Sequence, residues 1–370
     1  MKKNQHDGVD RRTFLKIGGA VGLGMAAALG QTGGVAAGPG PEASGKRAGE
    51  MIDMFPHILP DKYSKVLLKK AKSCAYIDAD LSVPALSSLD ERLKFMDKVG
   101  GLREVLTLGS PPPEYALSPK DCVDLVRMAN DELAELVEKR PDRFPAAVAS
   151  LPMSDVDASL RELDRAVKDL KLKGIQIFSS VNGKPLDSPE FLPIYEKMAQ
   201  YNLPIWLHPC RDGIVPDYPG EKESKYGLFL AFGWPYETTM ALNRLVFSGV
   251  MEKYPDLVII AHHCGAMIPF FSGRIGAGPS QEGEIMKLAR PPVEYFKRIY
   301  GDTVLGGNTS AMMCGYAFFG ADHMLFGTDY PYPGEAAHMA VIEAIGRMSI
   351  PEAERAKIFS GNARRLLRLA

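Results

Sequence analysis

Seven histidines are spread along the 370-residue chain, and four of them lie in or close short apolar runs. Residues 51–60, Met-Ile-Asp-Met-Phe-Pro-His-Ile-Leu-Pro, carry His57; residues 203–208 end on His208; residues 257–263 end on the pair His262 and His263. A fourth run, 323–329, ends on Asp329 within Phe-Gly-Thr-Asp-Tyr-Pro. Apolar and β-branched stretches bounded by Pro, Gly or Asp read as buried strands, so each run delivers a His or Asp at a strand's C-terminal end. One histidine in such a place is ordinarily structural, and Asp329 alone would pass for a turn residue. Several together point to a metal. Neutral imidazoles and a carboxylate suit a divalent ion such as zinc, and three protein ligands leave a position open for water or substrate. His6, His323 and His338 fall where a leader, a helix N-terminus or a surface site accounts for them.

Such side chains need a scaffold that gathers strand ends. Further strands are expected at 105–108, 146–151, 174–178 and 300–304, which brings the count to eight. Between them lie helical patterns. Ser88-Leu89-Asp90-Glu91 has the form of a capping box, with Leu89, Leu93 and Met96 following at helical spacing before Gly100-Gly101. Ser118-Pro119 opens a long amphipathic helix to Arg140, and helices are expected at 155–172, 188–201, 236–251, 310–319 and 336–348, with two more closing the chain. Residues 61–84 read as a polar, irregular cover for the mouth. Strand–helix alternation of this length predicts parallel pairing, and eight units predict an α/β fold of the (β/α)8 TIM-barrel type with its site at the strands' C-terminal ends. An open doubly wound sheet is the alternative, but no Gly-x-Gly-x-x-Gly turn follows the first strand.

Residues 1–49 stand outside that body. Asp10-Arg11-Arg12-Thr13-Phe14-Leu15-Lys16, an apolar Gly/Ala-rich run over 17–29 and the small residues Val35-Ala36-Ala37 resemble a twin-arginine signal peptide. The apolar run is shorter than the roughly 20 residues that span a bilayer. Export by the twin-arginine machinery to the periplasm or beyond is therefore expected, leaving residues 50–370 as one barrel domain. That machinery carries folded proteins, so a metal could be loaded beforehand. Hydrophobic residues make up 46%, enough for a large core, and a net charge of −1 gives no footprint for nucleic acid. Cys74, Cys122, Cys210, Cys264 and Cys314 show no CxxC pairing and are odd in number, so no disulfide framework is read.

The chain also resembles a known family over nearly all of residues 50–370. The resemblance rests on Leu151-Pro152-Met153, Gly174-Ile175-Gln176-Ile177, Leu207-His208-Pro209, residues 244–250, His263-Cys264-Gly265 with Pro269, Gly273-Arg274-Ile275 and residues 326–331. It is to the amidohydrolase-related metal-dependent barrels typified by aminocarboxymuconate-semialdehyde decarboxylase, with γ-resorcylate and 5-carboxyvanillate decarboxylases as relatives. The resemblance implies that His57, His208 and Asp329 bind a divalent metal, zinc or else manganese. His263, by its spacing from Pro269, would be the catalytic acid/base. His262 would point to the other face, because neighbours on a regular strand alternate. Arg274 matches an arginine that reaches a substrate carboxylate in the neighbouring subunit, which implies a homodimer; an ordinary surface ion pair is the plainer reading.

Two departures stand out. The family's first strand carries His-x-His, or Glu in the first place, but here Phe55 precedes His57. The metal then has one protein ligand fewer, or recruits another group such as Glu237 or a water. The stretch 61–84 contains Lys62, Lys65, Lys69, Lys70 and Lys72 but no arginine, whereas the decarboxylase uses an arginine there for its substrate's carboxylate. The resulting expectation is a metal-dependent carbon–carbon lyase, most simply a non-oxidative decarboxylase of an unsaturated or aromatic carboxylic acid. The same residues could hydrolyse an ester, lactone or amide with activated water. A third reading is a metal-depleted barrel that only binds a ligand.

Overall fold

Eight parallel strands pair in chain order in the computed structural model, which describes residues 49–71, 83–275, 288–332 and 334–369. The stretch read from the sequence as a twin-arginine signal peptide lies outside the described residues. Strand β1 comes in two pieces, Met51–Asp53 and His57–Ile58, and both lie along β2, Leu102–Leu108. The split lies at Met54-Phe55-Pro56, where proline has no N–H to give to a ladder. The sequence pattern had suggested one continuous run. Strand β3 is Ala146–Ala147 with Ala149–Ser150, followed by β4 Ile175–Phe178, β5 Ile205–His208, β6 Ile259–Ala261, β7 Tyr300–Asp302 and β8 Met324–Leu325. Each pairs with the next.

Closure is made by backbone bonds between the segment after β8 and the break in β1. Met54 N–H donates to Phe326 O at 2.8 Å, His57 N–H to Tyr330 O at 2.6 Å, and Asp329 N–H to Phe55 O at 3.1 Å. The barrel interior is filled by Ile52, Met54, Phe55, Val105, Trp206, Ile260 and Leu325, all buried. Trp206 reaches across to donate its indole N–H to Met54 O at 2.7 Å. Gly174 makes room for it, since a Cβ there would stand 2.5 Å from the indole.

The outer layer follows the expected helices, among them α1 Leu89–Val99 and α2 Pro119–Lys139, each capped by the serine expected to open it. Ser88 Oγ accepts from Glu91 N–H and Ser118 Oγ from Asp121 N–H. Later in the chain come α3 Val156–Lys168, α4 Leu192–Tyr201, α5 Trp234–Phe247, α6 Pro292–Phe296, α7 Thr309–Phe319 and α8 Glu335–Gly346. The reading of 61–84 as irregular is corrected over its first part, where Asp61–Lys70 is a helix resting on α2 through Tyr63 and Leu67. Residues 72–82 lie outside the described residues. Among the described residues, Cys122 and Cys264 are buried, and Cys210 and Cys314 are partly so. No described helix is long and apolar enough to cross a membrane.

Candidate active site

Four side chains converge at the C-terminal mouth. His57 from β1, His208 from β5, His262 just past β6 and Asp329 past β8 bring one ligand atom each to within 4.8 Å of one another. Each imidazole is fixed by what its other nitrogen does. His208 Nδ1 lies 2.7 Å from Pro209 O, an acceptor, so Nδ1 carries the proton. His262 Nδ1 lies 2.6 Å from Asp302 Oδ2 and must likewise donate. Thr107 spends its hydroxyl proton on Pro56 O at 2.6 Å, so His57 Nδ1, 3.1 Å from that hydroxyl, is the donor in the pair. All three rings therefore hold their Nδ1 protons outward and turn an Nε2 lone pair inward.

Asp329 is the common target. Its Oδ1 lies 3.1 Å from His57 Nε2 and 3.4 Å from His262 Nε2. Both nitrogens are buried and without a hydrogen bond. Buried polar atoms are seldom left so, and three inward lone pairs around a carboxylate ask for a cation rather than another acceptor. The donor set thus fits a divalent ion. Burial raises the Asp329 carboxyl, but the imidazoles of His262 and His57 outweigh it and hold it well below the usual range. Burial lowers His262, yet Asp302 and Asp329 push it up to about 9: this place favours a positive charge, which a proton or a metal ion can supply. His208 is driven well below its ordinary value by burial and by the neighbouring His262 and His57.

The supporting shell is as ordered as the cluster. Asp302 Oδ1 accepts from Cys264 N–H at 2.9 Å and Val304 N–H at 3.0 Å, tying β7 to the turn after β6. Asp53, at the end of the first piece of β1, accepts from Phe55 N–H at 3.0 Å, from Thr328 N–H at 3.2 Å and from the Thr328 hydroxyl, which fixes the residue before Asp329. Buried Arg92 of α1 donates to His57 O and, at 2.7 Å, to buried Glu104.

The expected ligands His57, His208 and Asp329 are thus brought together. The expected facing of the β6 pair is reversed: His262 enters the cluster and His263 stands beside it, with ring centres 4.0 Å apart. Regular alternation does not apply, because β6 stops at Ala261 and His263, Cys264, Gly265 and Ala266 all take left-handed φ of 55–69°. His263 is half-buried, near Trp234, and its Nδ1 makes no hydrogen bond. Burial and the adjacent His262 lower it to about 3. Arg274 sits on an exposed turn, Ser272–Arg274, and does not join the cluster. Glu237 is engaged by Arg211 at 3.1 Å and is not the recruited ligand. Lys65 and Lys70 pair with Asp61 and Asp121 on the outside. Sequence reasoning missed Asp302, whose signal was a carboxylate inside the buried run Tyr-Gly-Asp-Thr-Val.

Residues 77–369 match the family described as Amidohydrolase. The chain belongs to that family. It is 33% identical over 258 residues to 2-amino-3-carboxymuconate-6-semialdehyde decarboxylase of Dictyostelium discoideum, covering 69% of each chain. It is 33% identical over 295 residues to the γ-resorcylate decarboxylase of a Rhizobium species, covering 76% of this chain and 87% of that one. Among solved structures, dihydroxybenzoic acid decarboxylase from Polaromonas, with bound manganese and the inhibitor 2-nitroresorcinol, superposes with a TM-score of 0.73 at 28% identity, covering 87% of this chain and 97% of that one. This amidohydrolase-family barrel is accordingly a carboxy-lyase of the superfamily, with a divalent-metal site at its mouth.

Proposed function

We propose that the chain removes carbon dioxide from an unsaturated or aromatic carboxylic acid, with His57, His208 and Asp329 among the metal ligands and His263 as the proton carrier. The observation that carries this reading is the set of inward Nε2 lone pairs around Asp329 at the mouth of a closed barrel. The ion, manganese or zinc, supplies positive charge to substrate oxygens. The wall around it is aromatic: Phe178 lies 5.2 Å and Trp234 5.4 Å from the His208 ring, and Tyr332 lies 6.1 Å from His57. Flat rings of this kind favour a planar, unsaturated substrate and exclude water. In the reaction the carbon bearing the carboxylate gains a proton, the carbon–carbon bond breaks with its electron pair left on that carbon, and carbon dioxide departs. Half-buried beside the cluster, His263 is in reach of the mouth and is assigned that proton.

Two further parts of the proposal concern assembly and place. Arg274, exposed and clear of its own cluster, would orient a substrate carboxylate in the other subunit of a homodimer. Mixing inactive Arg274→Ala and His263→Ala chains should then restore activity in hybrid dimers. The amino-terminal resemblance supports twin-arginine export, and Arg11→Lys with Arg12→Lys should retain the protein in the cytoplasm. The central test is a screen of hydroxybenzoic and unsaturated acids, with carbon dioxide measured directly. Carbon dioxide released in step with loss of substrate is expected; a new carboxylic acid from an ester or lactone, without carbon dioxide, would contradict it.

A further inference from the structure

The turn that carries His263 to the rim is seated in a socket lined by glycines. Residues 263–266 are all left-handed, and Ala266 N–H closes the turn by donating to His263 O at 2.8 Å. Behind it lie β7 and α7. On α7, Met312, Gly315 and Phe319 form the buried face, spaced three and four residues apart as one side of a helix requires. A Cβ added at Gly315 would stand 2.3 Å from Cys264 Sγ, where ordinary contact is roughly 3.5–4.0 Å. The ring of Phe319 fills the neighbouring notch, where a Cβ at Gly265 would meet it at 2.8 Å and one at Gly301 at 2.9 Å. Cys264 is buried and its N–H is tied to Asp302 at 2.9 Å, so its thiol has no solvent to swing into.

We propose that Gly315 of α7 is a positioning residue for His263. Its missing side chain lets Cys264 Sγ sink into the helix surface, and that seat fixes the residue next to His263. Left-handed backbone is unfavourable for residues with a Cβ, so the turn depends on such support. A methyl group at 315 drives Cys264 outward and moves the imidazole before it, while His262 keeps its own anchor, Nδ1 on Asp302. Helix interiors ordinarily gain stability when glycine becomes alanine, so a loss at 315 has the opposite sign to helix propensity. The proposal rests on the assignment of the proton to His263, and the test separates the two.

Turnover is measured on the full-length protein loaded with Mn(II), with a hydroxybenzoic or unsaturated acid from which the natural protein releases carbon dioxide. Gly315→Ala should lower kcat by about tenfold or more, because misplacing a reacting group by about 1 Å costs ~10²-fold. KM and metal content should stay near those of the natural protein. Cys264→Ala in the same chain should restore kcat, since Cys264 Cβ is 3.9 Å from the added methyl and only the sulfur clashes. Gly346→Ala, on α8 where an added Cβ meets nothing within 4 Å, is the control and should leave kcat unchanged. Urea unfolding gives a second readout: Gly315→Ala should lower the midpoint and the double variant should recover it. Should Gly315→Ala fail to fold, the double variant decides alone. Turnover of Gly315→Ala equal to that of the natural protein, a loss that Cys264→Ala does not repair, or metal lost in step with activity would overturn the proposal. Absence of carbon dioxide release by the natural protein would instead remove the reading beneath it.

Discussion

The ends of β1 and β6 divide one task unequally. At β1, a position two residues before a ligand carries Phe55, which can fill space but not coordinate. At β6 there is a histidine more than the strand's alternation would bring to the site, because the chain leaves the strand at Ala261 and turns through four left-handed residues. Left-handed backbone is unfavourable for residues with a Cβ, so a run of it needs support from its surroundings. Here Asp302 holds the turn by Cys264 N–H and the ring by Nδ1. The mouth is thus assembled from several strand ends, and the ring of His262 from β6 lies against Phe55 of β1.

The largest effect expected is on the proposed proton carrier. His263→Ala should lower turnover by about 10²–10⁴-fold, with metal content unchanged. Metal lost along with activity would make His263 a ligand and break the comparison at its β6 side. On the β1 side, Arg92→Met strands Glu104 in the core and frees the His57 carbonyl; both members of the pair are fully buried. Removing one member of such a pair costs about 3–5 kcal/mol, measured as a fall in the denaturation free energy in urea. Asp302→Asn keeps shape but frees His262 to rotate, and metal affinity should fall ~10–100-fold while the fold persists.

The smallest effect is a slope. Burial raises the Asp53 carboxyl from 3.8 to about 7, against the opposing hydrogen bonds from Thr328. The folded state therefore holds its proton more tightly than the unfolded chain does. Its contribution to stability is complete below pH 3.8 and is lost as pH rises towards about 7. Asp53→Asn should flatten the decline in stability across that interval in urea titrations; an unchanged slope would show that Asp53 is not the group responsible.

Much of this arrangement could be read from residue types. His57, His208 and Asp329 each end an apolar run, and in a parallel barrel that end is the mouth. The eight strands were visible because buried parallel strands are short and apolar, and the serine caps of α1 and α2 because a side-chain oxygen ahead of a helix has a specific partner. The choice between His262 and His263 was not legible. It turns on where β6 stops, and that is set by packing against β7 and by Asp302, forty residues away. The helix Asp61–Lys70 was obscured for a related reason: its lysines mask a buried face of only Tyr63, Ser64 and Leu67.

The central claim is that this barrel breaks a carbon–carbon bond with the help of an ion held at its mouth. It is tested most directly by metal analysis of the protein purified without chelator, paired with carbon dioxide release before chelation, after chelation and after Mn(II) or Zn(II) is returned. About one divalent ion per chain is expected, with release abolished on its removal and regained on its return. Carbon dioxide release that persists in metal-free protein would contradict the account.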